Sequence, residues 1–539
     1  VEQKINFYVS SFDETKKKLD SISPTFCAAK WLQVSLHLTN GRTHSCYHPP
    51  THAIDIIALK NNPSALHNTD QKFKERQMML SGQRPAGCEY CWKIEDAEHV
   101  SDRYYRSSEH WAVDKIDQIA DHPFDASINP TYVEVNFNQA CNFKCSYCSP
   151  HLSSSWEEEI EKFGPYDING YLHNDVSVLK RINLMPADIS RKENPYIQAF
   201  WQWWPDIYKD LRVFRMTGGE PLMDSNTFRV LDYVIDHPNK NLELSVTSNM
   251  CPPKDIFEKF LNKVKRLDDV EHKVECYVPD PHDGSEWQSW PHYIIGRDQK
   301  EYHDSDLSSI ERNEIPQTFP EIGHALEDGS FTYLYSYTDH AVKHFSLYVS
   351  LDAVGAQAEY IRNGMDYDQL LSNVERFLDE TRNTSVTFIN TFNLLSITSF
   401  KDFLMVILKL RSKYNKQTQK EKYNNAFQRI WFDIPILRSP EWMSIFNAND
   451  DQIYRLKEIA KWMRKNNTQN QYNSTLEGFK DFEIEKVCRN INLLEENRFR
   501  DEILIKNLNN CRTFFYEHDR RRGTDFKKTF PEIDEWIST

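Results

Sequence analysis

From residue 132 onward apolar and polar residues alternate in short bursts. Val133, Val135 and Phe137 interleave with Glu134, Asn136 and Asn138, the period-two signature of a strand with one buried face. Comparable bursts recur at 211–216, 242–247, 345–351, 385–391 and 429–434. Between most of them apolar residues fall three and four apart, over 222–235, 255–264, 367–378 and 400–410, which predicts helices that each lay one stripe on a core. Strand alternating with helix predicts a parallel sheet, and six such units predict an open or partial barrel of the α/β class. Folds of that class gather their chemistry at the carboxyl ends of the strands, and the special residues of this chain do follow its strands.

The rhythm defines a core at 131–440 and is missing on either side. Residues 1–130 read as a loop-rich, cysteine-rich domain. Residues 441–539 read as a helical, strongly charged extension with a structural or partner-binding role, as in the helical pattern at 454–465. Two stretches interrupt the core: 150–207, with Trp156, Trp201, Trp203 and Trp204, and 277–343, rich in Asp, His and Tyr. Insertions of this length are read as peripheral elaboration or as substrate lids.

Composition narrows the field. With 39% hydrophobic and 13% aromatic residues the chain can bury enough apolar surface to order itself. Its 65 basic against 80 acidic side chains give a formal charge of −15, which argues against nucleic acid and anionic membranes as partners. No apolar run approaches the roughly 20 residues that cross a bilayer, and the first residues lack a signal-peptide core, so a cytoplasmic location is expected.

The 11 cysteines, an odd number, suit reduced thiols or metal ligands better than a disulfide framework. Directly after the first core strand comes Cys141-Asn-Phe-Lys-Cys145-Ser-Tyr-Cys148. Three thiolates on one short loop can bind three irons of a [4Fe-4S] cubane and leave the fourth iron open, whereas zinc usually takes a fourth protein ligand. Glycine is scarce, at 15 residues, and its one adjacent pair lies in Met216-Thr-Gly218-Gly219-Glu220-Pro221 after the second strand, marking a close backbone approach or a tight turn.

Cys141, Cys145 and Cys148, with Tyr147 before the last of them, together with Gly218-Gly219-Glu220-Pro221, resemble the radical S-adenosylmethionine superfamily. The resemblance covers about residues 131–440. It implies a partial (β/α)6 TIM-like barrel and a cluster whose open iron is chelated by S-adenosylmethionine. It also implies a 5′-deoxyadenosyl radical that takes a hydrogen atom from a substrate. The Gly-Gly-Glu-Pro strand end would receive the cofactor's amino group, with the Glu220 carboxylate facing the ammonium. Ser248 and Asn249 after the third strand, and Ser350 and Asp352 after the fourth, resemble ribose-binding positions. Arg362 resembles the partner of the cofactor carboxylate, and Asn393 and Leu394 lie where the family holds adenine. For these weaker positions a turn, a cap or a surface ion pair is the alternative.

Cys88-Glu-Tyr-Cys91, with Cys27 and Cys46 upstream, can close a four-thiolate site. A second [4Fe-4S] cluster is the expectation, with structural zinc or unligated thiols as alternatives. These segments resemble the twitch form of the SPASM/twitch subgroup, which usually places its auxiliary domain after the barrel. Here the domain comes first, so His44 and His48 are alternative ligands. The resemblance implies an enzyme that modifies a peptide or protein, as in maturation of ribosomal peptides. The alternatives are dehydrogenation or rearrangement of a small molecule and, from another class, a non-enzymatic iron–sulfur or zinc scaffold. An electron donor such as flavodoxin or ferredoxin is implied, and a leader-peptide-recognition partner is a further candidate. Cys251, which follows Thr247-Ser-Asn-Met at a strand end, is a candidate hydrogen-atom donor; its alternative is a buried packing residue.

Overall fold

The computed structural model describes residues 2–187, 193–278, 293–295, 301–303, 321–325, 331–415, 428–467, 469–470, 473–474 and 477–538. Its centre is a nine-stranded sheet built from β1 (Gln33–His37), β2 (Arg42–His44), β3 (His52–Ala53), β4 (Tyr132–Asn136), β5 (Val213–Thr217), β6 (Asn239–Ser248), β7 (Val342–Ser350), β8 (Thr384–Ile389) and β9 (Ile430–Asp433). The spatial order is β9-β8-β7-β6-β5-β4-β1-β2-β3. From β1 to β9 every pairing is parallel, and β2 and β3 add an antiparallel edge. The six expected core strands are therefore present, in the order of a partial (β/α)6 barrel that does not close on itself.

Parallel sheets usually have both faces covered and read as continuous apolar runs. This one alternates. Val133, Val135, Phe214, Met216, Leu244, Val246, Leu347, Val349, Val386, Phe388 and Ile430 turn to one face and are buried, each contributing about 1.5–3 kcal/mol by leaving water. Against that face lie amphipathic helices such as α1 (Ser225–Asp236), α2 (Lys254–Asp268), α3 (Tyr367–Glu380) and α4 (Phe400–Tyr414), whose buried positions recur every three and four residues. The other face is polar. The strand register lines up Ser35, Glu134, Arg215, Ser245, Ser346 and Ser385 in one row, and His37, Asn136, Thr217, Tyr348, Thr387 and Trp431 in the next. Glu134, Arg215, Thr217, Thr247, Tyr348, Thr387 and Trp431 are only half-buried, so this face opens to water.

The segment at 1–130 is more regular than its composition suggests. It contains the helices Asp70–Leu80, Glu89–Asp96 and Asp102–Ser107, and its strand β1 continues the main sheet beside β4. The helices escaped notice because their buried faces include Lys72, Glu75, Arg76 and Arg103, which weaken the apolar periodicity. Five strands, Val270–Val278, Tyr293–Ile295, Glu301–His303, Glu321–Ala325 and Phe331–Asp339, form an antiparallel sheet. Most of the stretch read as an insertion at 277–343 lies outside the described residues.

The carboxyl-terminal part is helical, with α5 (Asp450–Lys465), α6 (Asp481–Asn497) and α7 (Asp501–Arg522). A fully buried pair, Arg411 with Glu483, joins α4 to α6. Among the described residues no helix is long and apolar enough to cross a membrane.

Candidate active site

Because β4 to β9 run parallel, the segments that follow them emerge at one end of the sheet. The first is the cysteine loop. Its residues Lys144–Cys145 pair antiparallel with Arg362–Asn363, which sets Arg362 opposite Cys145, and Ser146 N donates to Ile361 O at 2.7 Å. Gly364 permits this approach. Its φ is +107°, and a Cβ there would lie 2.7 Å from Asn142 O.

The glycine pair after β5 closes on the other side of the loop. Gly219 N donates to Asn138 O and Glu220 N to Ala140 O, at 3.2 and 2.7 Å. A Cβ on Gly219 would sit 2.4 Å from Ala140 O, and one on Gly218 would sit 2.5 Å from Asn136 Oδ1, so both positions require glycine. Beside this contact Asn136 Oδ1, Asn138 Nδ2 and Gln139 Oε1 are buried without a hydrogen-bond partner. Orphaned polar atoms around a glycine cradle fit a polar ligand that supplies their missing bonds.

Glu220 is 1% exposed. Its carboxylate accepts from Ser248 Oγ at 2.9 Å, Asn249 N at 2.7 Å and Leu222 N at 3.1 Å, tying the β5 end to the β6 end. Burial without a counter-ion raises its pKa to about 7, against which the three donors pull. Asn249 then donates to Asn142 Oδ1 at 2.8 Å, which carries the link into the cysteine loop. Pro221 starts the short turn Pro221–Met223 that Glu220 caps.

The third convergence is Asp352, fully buried at the β7 end. It accepts from Tyr147 Oη at 2.7 Å, Arg362 Nη2 at 3.1 Å and Thr391 N at 2.7 Å. Arg362 Nε also lies 2.8 Å from Asp352, as an ion-pair contact whose N–H is not aligned for a hydrogen bond. Arg362 Nη1 reaches Cys145 Sγ at 3.6 Å. Tyr147, Asp352 and Arg362, singled out separately from sequence, thus form one knot at the cysteine loop.

The remaining residues behave differently. Ser350 is half-buried at the end of β7. Asn393 spends its side chain on the turn it caps, accepting from Leu395 N and donating to Thr391 O, and Leu394 is fully buried. Cys251 is 6% exposed and its thiol lies 3.3 Å from Asp366 O at the start of α3, a packing position. Sequence reasoning missed the braces of the loop. Trp156 Nε1 donates to Cys145 O at 2.8 Å, and Ser153 and Ser155 donate to Phe143 O and Cys141 O. From α7, Arg522 donates to Lys144 O at 2.6 Å and pairs with buried Glu159, and His518 Nε2 lies 3.4 Å from Ser146 Oγ.

A second thiol group stands in the amino-terminal segment. Cys27, Cys46, Cys88 and Cys91 line one pocket with Lys30, Arg103 and Arg106, around about 420 Å³ of empty space, part of it open to solvent. Burial, reinforced by the neighbouring thiols, pushes Cys27 and Cys91 up to about 12. The same causes raise Cys148 to about 12 and Cys141 further. Such thiols stay protonated until a cation takes the proton's place. His48 borders this pocket, stacked on Tyr90 at 3.8 Å and bonded to Asp102 at 2.6 Å. His44 is turned away, with its ring nitrogens on His37 and Cys46 O. Cys27, Cys46, Cys88, Cys91, Cys141, Cys145, Cys148, Cys251, Cys488 and Cys511 are all free thiols.

A parallel sheet that carries a three-cysteine loop, a glycine cradle and an Asp–Arg knot at one end agrees with the resemblance to the radical S-adenosylmethionine superfamily that the motifs carry. No family model matches the sequence. A relative from Campylobacter jejuni subsp. doylei, described as GTP 3′,8-cyclase, is 26% identical over 157 residues, 28% of this chain. The match spans only 38% of that relative's length. A crystal structure of SuiB from Streptococcus suis aligns over 80% of this chain and 79% of its own, with 10% identity and a TM-score of 0.27, and nothing about this chain follows from so low a score.

Proposed function

We propose that the chain is a radical S-adenosylmethionine enzyme that abstracts hydrogen from a peptide or protein segment held on the polar face of the sheet. The observation that carries this reading is the cysteine loop braced at the strand ends beside a polar, half-exposed face whose outer strands, β3 and β9, do not pair with each other. An unclosed sheet admits a chain segment from the side, where a sealed pocket would admit only a compact molecule. When bound, the cluster and S-adenosylmethionine supply a 5′-deoxyadenosyl radical for the abstraction.

The chain's own residues do the rest. Cys141, Cys145 and Cys148 would hold a [4Fe-4S] cluster at three irons. The unpartnered Asn136 Oδ1 and the carbonyls of the Gly218-Gly219 turn would accept from the cofactor's ammonium. Arg362, fixed by Asp352, would present its cation to the carboxylate, and Ser350, half-buried at the end of β7, would face the ribose. Glu220 acts from behind by fixing Ser248 and Asn249. Cys27, Cys46, Cys88 and Cys91 would hold an auxiliary twitch-like cluster. A flavodoxin or ferredoxin would deliver the electron.

A small-molecule substrate is the second reading. The likeness to a GTP 3′,8-cyclase favours it, as does the compact polar group on the open face where Arg215 donates to Tyr47 and Tyr132 beside Glu134. Incubating reduced enzyme with cell extract in deuterated water, followed by mass spectrometry, separates the two. Altered peptides support the first reading, and altered metabolites with an unchanged peptide fraction overturn it.

A further inference from the structure

Behind the amino-terminal cysteine pocket lies positive charge that the neighbouring side chains do not balance. Lys30 lines the pocket, its side chain 3% exposed and ion-paired with Glu75. One layer further back stand Lys72 and Arg76, both fully buried. Lys72 Nζ lies 3.0 Å from His67 Nδ1. Arg76 donates to Lys30 O and Asn68 Oδ1 at 3.3 and 3.2 Å, and its Nη2 lies 3.2 Å from His67 Nε2, which itself sits 2.7 Å from Trp31 O. No carboxylate among the described residues pairs with either of them; burial and the neighbouring cations hold the Lys72 amine well below the usual lysine range, so the buried cations that share Glu75 are Lys30 and Arg76.

The other cations on the pocket are matched. Arg103 pairs with Glu95 and Asp20, and Arg106 with Glu109. At the Cys141–Cys148 loop, Arg362 faces Asp352 and Arg522 faces Glu159; Lys144, which shares Glu159, is 28% exposed. Only the amino-terminal site carries a fully buried surplus. Cations buried without counter-charge are costly and persist where something anionic completes them. A four-thiolate cubane in its oxidised form is a dianion, which a buried positive surplus offsets, and it gains one further negative charge on reduction.

We propose that Lys30, with Arg76 behind it, forms a cationic cage that raises the reduction potential of the amino-terminal cluster above that of the cluster on the Cys141–Cys148 loop. The inference rests on the reading that Cys27, Cys46, Cys88 and Cys91 hold a cluster. Positive charge and hydrogen bonds at the sulfurs favour the reduced, more anionic state, so the cage makes this site the stronger one-electron acceptor.

The test is a dithionite titration of the reconstituted full chain followed by electron paramagnetic resonance, in a C141A/C145A/C148A background that leaves only the amino-terminal site. Iron is assayed first, and about four irons per chain are expected. Lys30→Met should then lower the reduced-to-oxidised ratio at fixed potential at least tenfold, a shift of about 59 mV for a one-electron couple, and Arg76→Met should lower it in the same direction. Lys30→Arg should retain the parent value. In chains with an intact Cys141–Cys148 loop, the midpoint of that cluster should lie below the amino-terminal one and stay unchanged in all three variants. Should Lys30→Met fail to load iron, Arg76→Met and Lys30→Arg decide the matter. Four irons with unmoved midpoints, or an equal drop in Lys30→Arg, would overturn the cage and leave the cluster standing. Absence of iron in the triple-cysteine background would overturn the cluster reading and the cage with it.

Discussion

Glu220 has three hydrogen bonds and no counter-ion, and its behaviour with pH follows from that. Its folded pKa is raised from 4.5 to about 7, so the folded state holds a proton that the unfolded state gives up earlier. The associated stability is fully present below pH 4.5 and is lost as pH rises towards 7. Glu220→Gln does not titrate, so the stability of the parent relative to this variant should fall across that window by on the order of 3 kcal/mol. Urea unfolding of both proteins at several pH values checks it, and parallel pH profiles would contradict the raised pKa. The two glycines give a second residue-scale outcome. A methyl group on Gly219 would press on Ala140 O and the Gln139 backbone, so Gly219→Ala should displace the cysteine loop, cost about 1–3 kcal/mol and lower cluster loading. An iron assay alongside circular dichroism reads both effects.

Among the elements, the six core strands were legible because each alternates, and alternation is a local property that survives without knowledge of neighbours. Tyr147, Asp352 and Arg362 were legible as separate positions, but not as one knot, because their contacts join residues up to 217 apart in the chain. The same reason hid α7. A charged helix reads as a solvated tail, and nothing local reveals that Arg522 is 1% exposed and clamps Lys144 O and Glu159. Trp156 was visible as an aromatic in an insertion, whereas its donation to Cys145 O was not. The brace carries its own test. Arg522→Met leaves Glu159, buried with only Lys144 and Tyr166 beside it, and breaking such a buried pair costs about 3–5 kcal/mol. The variant should melt several degrees lower and load less iron at the Cys141–Cys148 loop. An unchanged iron content would show that α7 stabilises the fold without supporting the loop.

For the molecule as a whole, two thiol groups sit on one continuous sheet, since β1, which follows Cys27, pairs directly with β4, which leads to Cys141. Tyr47, next to Cys46, reaches Tyr132 and Arg215 on the polar face, so the amino-terminal pocket adjoins the surface on which a substrate would lie. Anaerobically reconstituted protein should accordingly hold close to eight irons, and Cys141→Ala with Cys145→Ala should remove about half of them. About four irons with one zinc would remove the auxiliary cluster and leave the loop at Cys141–Cys148 intact. The measurement that bears most directly on the account is formation of 5′-deoxyadenosine from S-adenosylmethionine by the reduced, iron-loaded chain, read by liquid chromatography and mass spectrometry. The expected result is 5′-deoxyadenosine from the parent protein and none from Cys145→Ala; iron-loaded parent protein that yields none under reduction would contradict the assignment of the loop, the glycine cradle and the Asp352–Arg362 knot to this chemistry.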